Sequence, residues 1–369
     1  MKNRALFVGA LITCSAGILA AEPLPRTGSP EAQGVSSDAL REFVEALDRI
    51  PSMHSVMVLR HGQVVAEAWW KPEAADKAHI LNSVSKSFCS TAVGLAVAEG
   101  KLTLDDRVLG FFPDNAPAEI SENLKALRVR DLLTMSSGHD PEPKAAPGSG
   151  PTVKQFLATP LAHAPGTHFQ YNTMGTYVLS AIVTKVTGEK VVDYLKPRLF
   201  DPLGIEGAKW DESAEGYSLG GYGLYLKTED LAKLGQLYLQ KGKWNGKQLI
   251  TEDWVAQATS KQVRNDPGSH TGMGPDWKQG YGFQFWRCQN GAFRGDGAGG
   301  QFCIVLPEQD TVIAMTAGGA DMQAELNAIW DKLLPALKNS NPPIPENPSA
   351  QAKLKEAIGK LEVKTPPGK

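Results

Sequence analysis

Two groups of strand patterns, one near each end of the chain, constrain the fold most. Residues 55–60 and 63–70 are rich in apolar and β-branched side chains and flank the turn residues His61 and Gly62, which predicts a β-hairpin. Helical spacing of apolar residues dominates between 83 and about 238. Short apolar stretches separated by turn residues return late in the chain, at 281–288, 292–296, 301–306 and 311–317.

A chain with strands at both ends and helices between them is most simply closed by one sheet. The sequence therefore predicts an α+β fold, in which an antiparallel sheet from both chain ends is flanked by terminal helices at 36–50 and about 322–337. The middle of the chain is predicted to form a helical subdomain. A cleft between sheet and subdomain is the expected place for a ligand.

The two chain termini differ in composition from the domain between them, which we place at 30–338. Lys2 and Arg4 precede a short apolar run that ends at Ala20 and Ala21, so residues 1–21 are predicted to be a signal peptide. We therefore expect an exported protein, periplasmic or secreted, although an uncleaved anchor is an alternative reading. Residues 339–369 are Pro-rich and are predicted to be a linker or a loose terminus.

The ionisable and sulfur-containing residues exclude several classes of function. The formal net charge of −2 and the absence of a basic block argue against nucleic acid as a partner. Cys14 would leave with the signal peptide, and the remaining Cys89, Cys288 and Cys303 are odd in number, so they cannot form a disulfide scaffold. Pairing of Cys288 with Cys303 is left open. The seven histidines show no metal-ligand spacing, so neither a metal nor a cofactor is expected.

A Ser-x-x-Lys sequence, Ser83-Val84-Ser85-Lys86, stands directly before a small apolar helical run. Residues three apart share a helix face, so the amine of Lys86 is expected beside the hydroxyl of Ser83. A serine needs a neighbouring base or cation to act as a nucleophile at neutral pH, and burial of a lysine favours its neutral form. The pattern predicts a nucleophilic serine, although so short a motif also arises by chance.

Two later segments suit the same chemistry. Tyr171 stands at a loop just before an apolar helix, where a phenol can shuttle a proton to or from a serine. The stretch 294–300 is glycine-rich, and such a strand permits close approach of a substrate to the backbone. Its amides, with the amide of Ser83, would form an oxyanion hole. Taken singly, the tyrosine also reads as a half-buried core residue and the glycines as a bulge.

Taken together and in this order, these segments resemble the serine β-lactamase and penicillin-binding protein superfamily, over about 40–337. The resemblance is closest to the class C and esterase-like branch, which includes 6-aminohexanoate-dimer hydrolases and carboxylesterases. It implies a β-lactamase/transpeptidase-like fold. It also implies that Ser83 is acylated, that Lys86 and Tyr171 handle its proton, and that the amide of Ala298 completes the oxyanion hole.

The chain departs from the superfamily's motifs at two positions that contact substrate. Thr173 replaces the asparagine of the Tyr-x-Asn motif, and Gly295-Asp296-Gly297 aligns with Lys-Thr-Gly or His-x-Gly with only Gly297 kept. By resemblance, Thr173, Asp296 and Gly297 border the substrate. Gly295 lacks the cationic side chain that helps penicillin-recognising members to hold the substrate carboxylate.

The sequence thus predicts an exported serine hydrolase that cleaves an ester or amide of a small molecule or short peptide. Alternatives are a D-alanyl-D-alanine peptidase or true β-lactamase, an inactive member that serves as a binding module, and an α/β-hydrolase that uses Ser218 in Gly216-Tyr217-Ser218-Leu219-Gly220. Whether Lys86 or Tyr171 is the base, and which oligomeric state the chain adopts, are left open. His139 and Tyr222 are further candidates for substrate contact.

Overall fold

The computed structural model describes residues 23–145, 148, 150–319, 321–338 and 342–365. The predicted signal peptide at 1–21 lies outside the described residues. Within them, no helix combines the length and the apolar character that a membrane span requires.

The strands form one main sheet and two small ones. In the described part of the chain, six strands form an antiparallel sheet in the order β2-β1-β11-β10-β9-β8, so both chain ends contribute as predicted. The strands are β1 (Met53–Arg60), β2 (Gln63–Trp69), β3 (His79–Ile80), β4 (Lys209–Trp210), β5 (Leu224–Leu226), β6 (Lys243–Trp244), β7 (Lys247–Gln248), β8 (Trp286–Arg287), β9 (Phe293–Gly297), β10 (Gln301–Leu306) and β11 (Thr311–Ala317).

The β1–β2 hairpin turns where the sequence predicts it. His61 and Gly62 have φ values of 49° and 72°, the positive values that a tight two-residue hairpin turn requires. Both faces of the main sheet are covered, and side chains along β1 alternate between two apolar cores. Met57 and Leu59 enter the core on the side of the helical subdomain, whereas Val56 and Val58 enter the core beneath the terminal helices.

The helices divide between the two faces of the sheet, which confirms the predicted architecture. The terminal helices α1 and α12–α14 cover one face, and helices from the middle of the chain cover the other. The helices are α1 (Ser37–Leu47), α2 (Ser85–Ala98), α3 (Val108–Phe111), α4 (Glu122–Ala126), α5 (Val129–Leu133), α6 (Val153–Ala158), α7 (Thr173–Thr187), α8 (Val191–Leu195), α9 (Asp201–Leu203), α10 (Thr228–Leu239), α11 (Glu252–Thr259), α12 (Met322–Ala328), α13 (Leu334–Lys338) and α14 (Pro348–Gly359).

The strand predicted at 281–288 is largely wrong, because only Trp286 and Arg287 of this stretch form a strand and Tyr281 makes isolated bridges alone. The backbone turns back on itself instead: Gly282 N donates to the Phe285 carbonyl, and Gln284 adopts a φ of 64°. A side chain at 282 would overlap the Ala258 carbonyl oxygen. The turn sends Phe285 into the core beneath the helical subdomain and Trp286 into the other core, so apolar residues here serve two sides of the molecule.

The C-terminal segment predicted to be a linker or loose end packs on the domain from residue 348 to 364. Helix α14 lies against α1 and buries Leu354. The segment after it is bound by backbone hydrogen bonds: Lys71 N donates to Leu361 O, and Val363 N donates to Lys71 O. The apolar face of α14 therefore belongs to the core between the sheet and the terminal helices.

Candidate active site

Ser83 lies on a turn of 3-10 helix, Asn82–Val84, that leads directly into α2. Asn82 adopts a left-handed φ of 46°, and its side-chain amide donates to the Ala298 carbonyl. Ser85 helps to hold the turn, since its hydroxyl donates to the Asn82 carbonyl. This arrangement places the Ser83 hydroxyl at the N-terminal end of a buried helix, where the helix dipole favours negative charge.

Lys86 lies one helical turn further on and is only 1% exposed. Its Nζ lies 2.9 Å from the Ser83 Oγ and donates to the Gly221 carbonyl at 2.8 Å. Burial lowers the pKa of this ammonium to about 7, although the carboxylates of Glu142 and Asp296 oppose the shift. At neutral pH a large fraction of the amine is therefore neutral and able to accept a proton from Ser83.

Tyr171 is buried beside Lys86. Its ring centroid lies 4.9 Å from the Lys86 Nζ, and its ring stacks on Trp286 at 5.6 Å between centroids. Burial raises the pKa of the phenol well above its ordinary range, Asp296 adds to the rise, and hydrogen bonding with Ser83 opposes it. The phenol thus stays protonated where the amine of Lys86 is already neutral, so the two groups can hold different proton-transfer roles.

The segment after Tyr171 is fixed by capping of α7. The Asn172 side chain accepts a hydrogen bond from Gly175 N and donates one to the Ser137 hydroxyl. Thr173 is the first residue of α7, and its backbone N–H donates to a carboxylate oxygen of Glu142 at 2.9 Å. Thr173 and Glu142 therefore meet beside the catalytic candidates. The resemblance implied this position for Thr173, whereas no motif indicated it for Glu142.

Strand β9 passes close to the Ser83 turn and to α2, and glycines stand at both points of close approach, 297 and 295. A Cβ atom at 297 would overlap the Leu81 carbonyl oxygen and lie 3.0 Å from the Ser83 nitrogen. Ala298 follows at the exposed end of the strand. The backbone at 297–298 therefore borders the Ser83 amide, as an oxyanion hole requires. A Cβ atom at 295 would lie 2.6 Å from the Ser87 hydroxyl, so the first position of this motif has no room for the superfamily's cationic side chain.

Asp296 and Arg294 form a buried ion pair behind the site. Arg294 Nη2 lies 2.9 Å from the Asp296 carboxylate, and the guanidinium, which is fully buried, lies over the Trp277 ring. Burial raises the pKa of the Asp296 carboxyl, and Arg294 opposes this rise. Arg294 is therefore a structural partner of Asp296 and takes no place in the open cleft.

Several residues around the cleft were missed by the sequence analysis. His270 packs against Tyr171 with ring centroids 4.6 Å apart, and burial lowers the pKa of its imidazole. Ser269, beside it, accepts a hydrogen bond from Tyr171 N. These residues and Trp286 follow Tyr171 by about 100 positions in loops without a motif, so only tertiary packing identifies them.

His139 and Tyr222, the two further candidates for substrate contact, differ in their exposure. The imidazole of His139 is fully buried, and its two ring nitrogens lie within hydrogen-bonding distance of the Ser137 hydroxyl and the Thr159 carbonyl. Tyr222, by contrast, is 38% exposed and follows Gly221, whose carbonyl accepts a hydrogen bond from Lys86.

Cys288 and Cys303, whose pairing the sequence left open, are both free and buried. The Cys288 sulfur contacts Arg294, and the Cys303 sulfur contacts the Leu231 carbonyl.

Ser218 does not meet the requirements of a nucleophile elbow. Its side chain is fully buried, and its backbone carbonyl accepts a hydrogen bond from the Ser180 hydroxyl. The residues after it form a bent loop that leads into β5, where an α/β-hydrolase would begin a helix. The α/β-hydrolase reading of Gly216–Gly220 is therefore wrong.

Comparisons with known proteins agree with this geometry. A family model described as Beta-lactamase matches residues 40–337. The 6-aminohexanoate-dimer hydrolase of Paenarthrobacter ureafaciens is 28% identical over an alignment of 287 residues, which covers 72% of this chain and 72% of that protein. The solved structure of EstCE1, a hydrolase with promiscuous acyltransferase activity, superposes with a TM-score of 0.64 at 20% identity and covers 80% of this chain and 99% of its own. The structure of the octameric penicillin-binding protein homologue from Pyrococcus abyssi superposes with a TM-score of 0.63 at 20% identity, and it covers 81% of this chain and 76% of its own.

Proposed function

Because this chain belongs to the beta-lactamase family of serine hydrolases, we propose that it hydrolyses an ester or amide through acylation of Ser83. The observation that carries the proposal is the 2.9 Å approach of the Lys86 Nζ to the Ser83 Oγ in a desolvated pocket. A base whose pKa lies near the working pH, in hydrogen-bonding contact with a serine, is the arrangement that nucleophilic catalysis needs.

In the acylation half-reaction, the Ser83 oxygen attacks the substrate carbonyl while its proton passes to the neutral amine of Lys86. The backbone amides of Ser83 and Ala298 stabilise the oxyanion of the tetrahedral intermediate. Tyr171, whose phenol stays protonated, donates a proton to the leaving alcohol or amine and is reprotonated from Lys86. In the second half-reaction a water molecule attacks the acyl-enzyme, gives its proton to the Lys86–Tyr171 pair, and releases the acid as Ser83 regains its proton.

The charges around the cleft favour substrates that lack a carboxylate next to the scissile bond. Gly295 supplies no cation, and the guanidinium of Arg294 is fully buried against Asp296. The carboxylate of Glu142 adds negative charge beside Lys86. A neutral ester or amide suits this surface better than a penicillin or a peptide with a terminal D-alanine carboxylate. We therefore prefer an esterase or amidase to a β-lactamase or D-alanyl-D-alanine peptidase.

The alternative of an inactive binding module is disfavoured by the same contacts. A module that had lost its chemistry would have no need to keep Lys86 buried, lowered in pKa and in contact with Ser83, because such burial of an amine costs stability. Export of the protein, based on residues 1–21, is a separate proposal. Fractionation of the producing cell would test it: recovery of a shortened chain from the periplasm or medium supports export, and full-length protein in the cytoplasm contradicts it.

Hydrolysis of p-nitrophenyl acetate by the wild type, Ser83→Ala and Ser218→Ala tests the proposal, with folding checked by circular dichroism. Loss of the nucleophile should lower the rate by several powers of ten, while Ser218→Ala keeps activity. A folded Ser83→Ala protein with the wild-type rate would overturn the proposal. Turnover of a chromogenic cephalosporin, or release of D-alanine from a peptide, would replace the preferred substrate class with one of its alternatives.

A further inference from the structure

A second group of chemically active side chains lies outside the acyl-transfer site. Asp140, His163 and His168 come from two different loops, and the ligand atoms that they offer all lie within 4.8 Å of one another. His168 Nε2 is 3.3 Å and His163 Nε2 is 3.7 Å from the same carboxylate oxygen, Asp140 Oδ2. We propose that this Asp140–His163–His168 cluster binds a divalent transition-metal ion, with Zn²⁺ the best match.

The spacing of the three ligand atoms suits a tetrahedral ion. Two ligands at about 2.1 Å from a tetrahedral Zn²⁺ are about 3.4 Å apart. The two nitrogen–oxygen distances, 3.3 and 3.7 Å, bracket this value and are longer than usual N–H···O hydrogen bonds, which measure about 2.7–3.2 Å. Two imidazoles and one carboxylate also form a ligand set that Zn²⁺ accepts, with water in the fourth position.

The two imidazoles of the cluster present their Nε2 atoms to one carboxylate oxygen. The rings of His163 and His168 stack with centroids 4.1 Å apart and 26° between their planes. Each Nε2 lies within 3.7 Å of Asp140 Oδ2. A single divalent ion among these atoms can therefore bind two imidazole nitrogens and the carboxylate together.

Solvent can reach the cluster, as an exchangeable ion requires. The side chains of Asp140, His163 and His168 are 44%, 41% and 31% exposed. A fourth ligand position is therefore open to water. The sequence gives no indication of this site, because the aspartate is more than 20 residues from the nearer histidine and only the contact of the two loops unites them.

The position of the cluster suggests what the ion would do. Asp140 stands two residues before Glu142, which binds the start of α7, and His168 directly precedes Phe169, whose ring packs edge-on against Trp286. Trp286 in turn stacks on Tyr171. An ion at the cluster would cross-link the two loops and so fix the wall that carries Tyr171. We assign it this positioning role and no part in the acyl transfer.

The loops already touch through the backbone, so an ion would add to an existing contact. His163 N donates to the Gly138 carbonyl, and Gly166 N donates to the Ser136 carbonyl. A side chain at 138 would overlap the His163 carbonyl oxygen, which shows how close the loops lie. The ligands therefore need little rearrangement to bind, and the ordering cost of forming the site is small.

Titration of the chelator-treated full-length protein with ZnCl2 tests the proposal, with isothermal calorimetry for affinity and stoichiometry and Co²⁺ absorption for geometry. The expected result is one ion per chain, visible bands of tetrahedral Co²⁺, and a rise in Tm with Zn²⁺. His163→Gln and His168→Gln should each weaken binding at least 100-fold, since even an indirect ligand partner is worth about 10- to 100-fold. Both side chains are partly exposed, so the variants should keep the metal-free Tm of the wild type.

A matched control comes from the other histidine pair. His54 Nδ1 and His79 Nε2 lie 2.7 Å apart, and His54→Gln should leave Zn²⁺ binding unchanged. Equal affinity in the wild type, His163→Gln and His168→Gln, or loss of binding in His54→Gln, would overturn the proposal, as would the absence of a stoichiometric ion. Hydrogen exchange tests the positioning role: Zn²⁺ should slow exchange at 136–142 and 163–171, and unchanged exchange there with a bound ion would contradict it.

Discussion

The protonation state of Lys86 should control how the activity depends on pH. With its pKa near 7, the neutral fraction of the amine is about 90% at pH 8, about 9% at pH 6 and about 1% at pH 5. Only the neutral amine accepts the proton of Ser83, so kcat/KM should rise with pH through this pKa. We expect a fall of about 90-fold between pH 8 and pH 5.

The assay is kcat/KM for an uncharged p-nitrophenyl ester, read at a wavelength where the product absorbs equally at every pH. The profile reports the free enzyme, and the substrate itself does not titrate, so the apparent pKa belongs to the protein. Glu142→Gln should move the rising limb to lower pH, because the carboxylate of Glu142 holds the pKa of Lys86 up. Glutamine can still accept the hydrogen bond of Thr173.

Glu122→Gln is the matched control. The Glu122 side chain is 87% exposed, and its ion pair is with Lys125, which takes no part in the proposed site. Its profile should superpose on that of the wild type. A flat profile between pH 5 and pH 8, or a limb at the ordinary lysine pKa above pH 10, would refute the reasoning that burial makes Lys86 the base. A shift of the Glu142→Gln limb to higher pH would refute the assigned charge interaction.

Three other changes have defined outcomes. Tyr171→Phe should lower the rate of ester hydrolysis about 100-fold or more without unfolding, checked by steady-state kinetics and circular dichroism, and wild-type rates would contradict a proton-transfer role. Gly295→Ala should lower the free energy of unfolding by about 1–3 kcal/mol in urea because its Cβ would lie 2.6 Å from the Ser87 hydroxyl, and Ser87→Ala in the same chain, which removes that hydroxyl, should restore part of it. Leu354→Ala, which empties a buried site on α14, should cost about 2 kcal/mol or more, and no loss would mean that the C-terminal helix does not contribute to the core.

The elements that local sequence determines could be predicted, and those that depend on distant contacts could not. The Ser83–Lys86 contact follows from helix periodicity, because residues three apart share a face wherever the helix lies. Trp286 could be predicted only as part of a strand, because nothing in its neighbourhood indicates that the backbone turns at Gln284 and carries the indole to Tyr171. Glu142 lies in a Pro-rich loop, and only the folded chain brings it to the start of α7.

The packing around β9 explains why the chain departs from the superfamily's third motif. Sequence shows that Gly295 lacks a cation, and the structure shows that even a Cβ atom there would lie 2.6 Å from the Ser87 hydroxyl. Arg294 stands next to it in the sequence but does not replace the missing charge, because its guanidinium is buried against Asp296. Alternation along a strand sends neighbouring residues to opposite faces, so adjacency in sequence does not imply a shared site.

Covalent labelling shows directly whether Ser83 is the nucleophile. The wild type, Ser83→Ala and Ser218→Ala would each be treated with a fluorophosphonate, and the mass of the intact chain and the labelled peptide would be measured. If Ser83 is the nucleophile, the wild type and Ser218→Ala each carry one adduct per chain on Ser83, and Ser83→Ala carries none. Stoichiometric labelling of folded Ser83→Ala, or an adduct on another residue of the wild type, would contradict it.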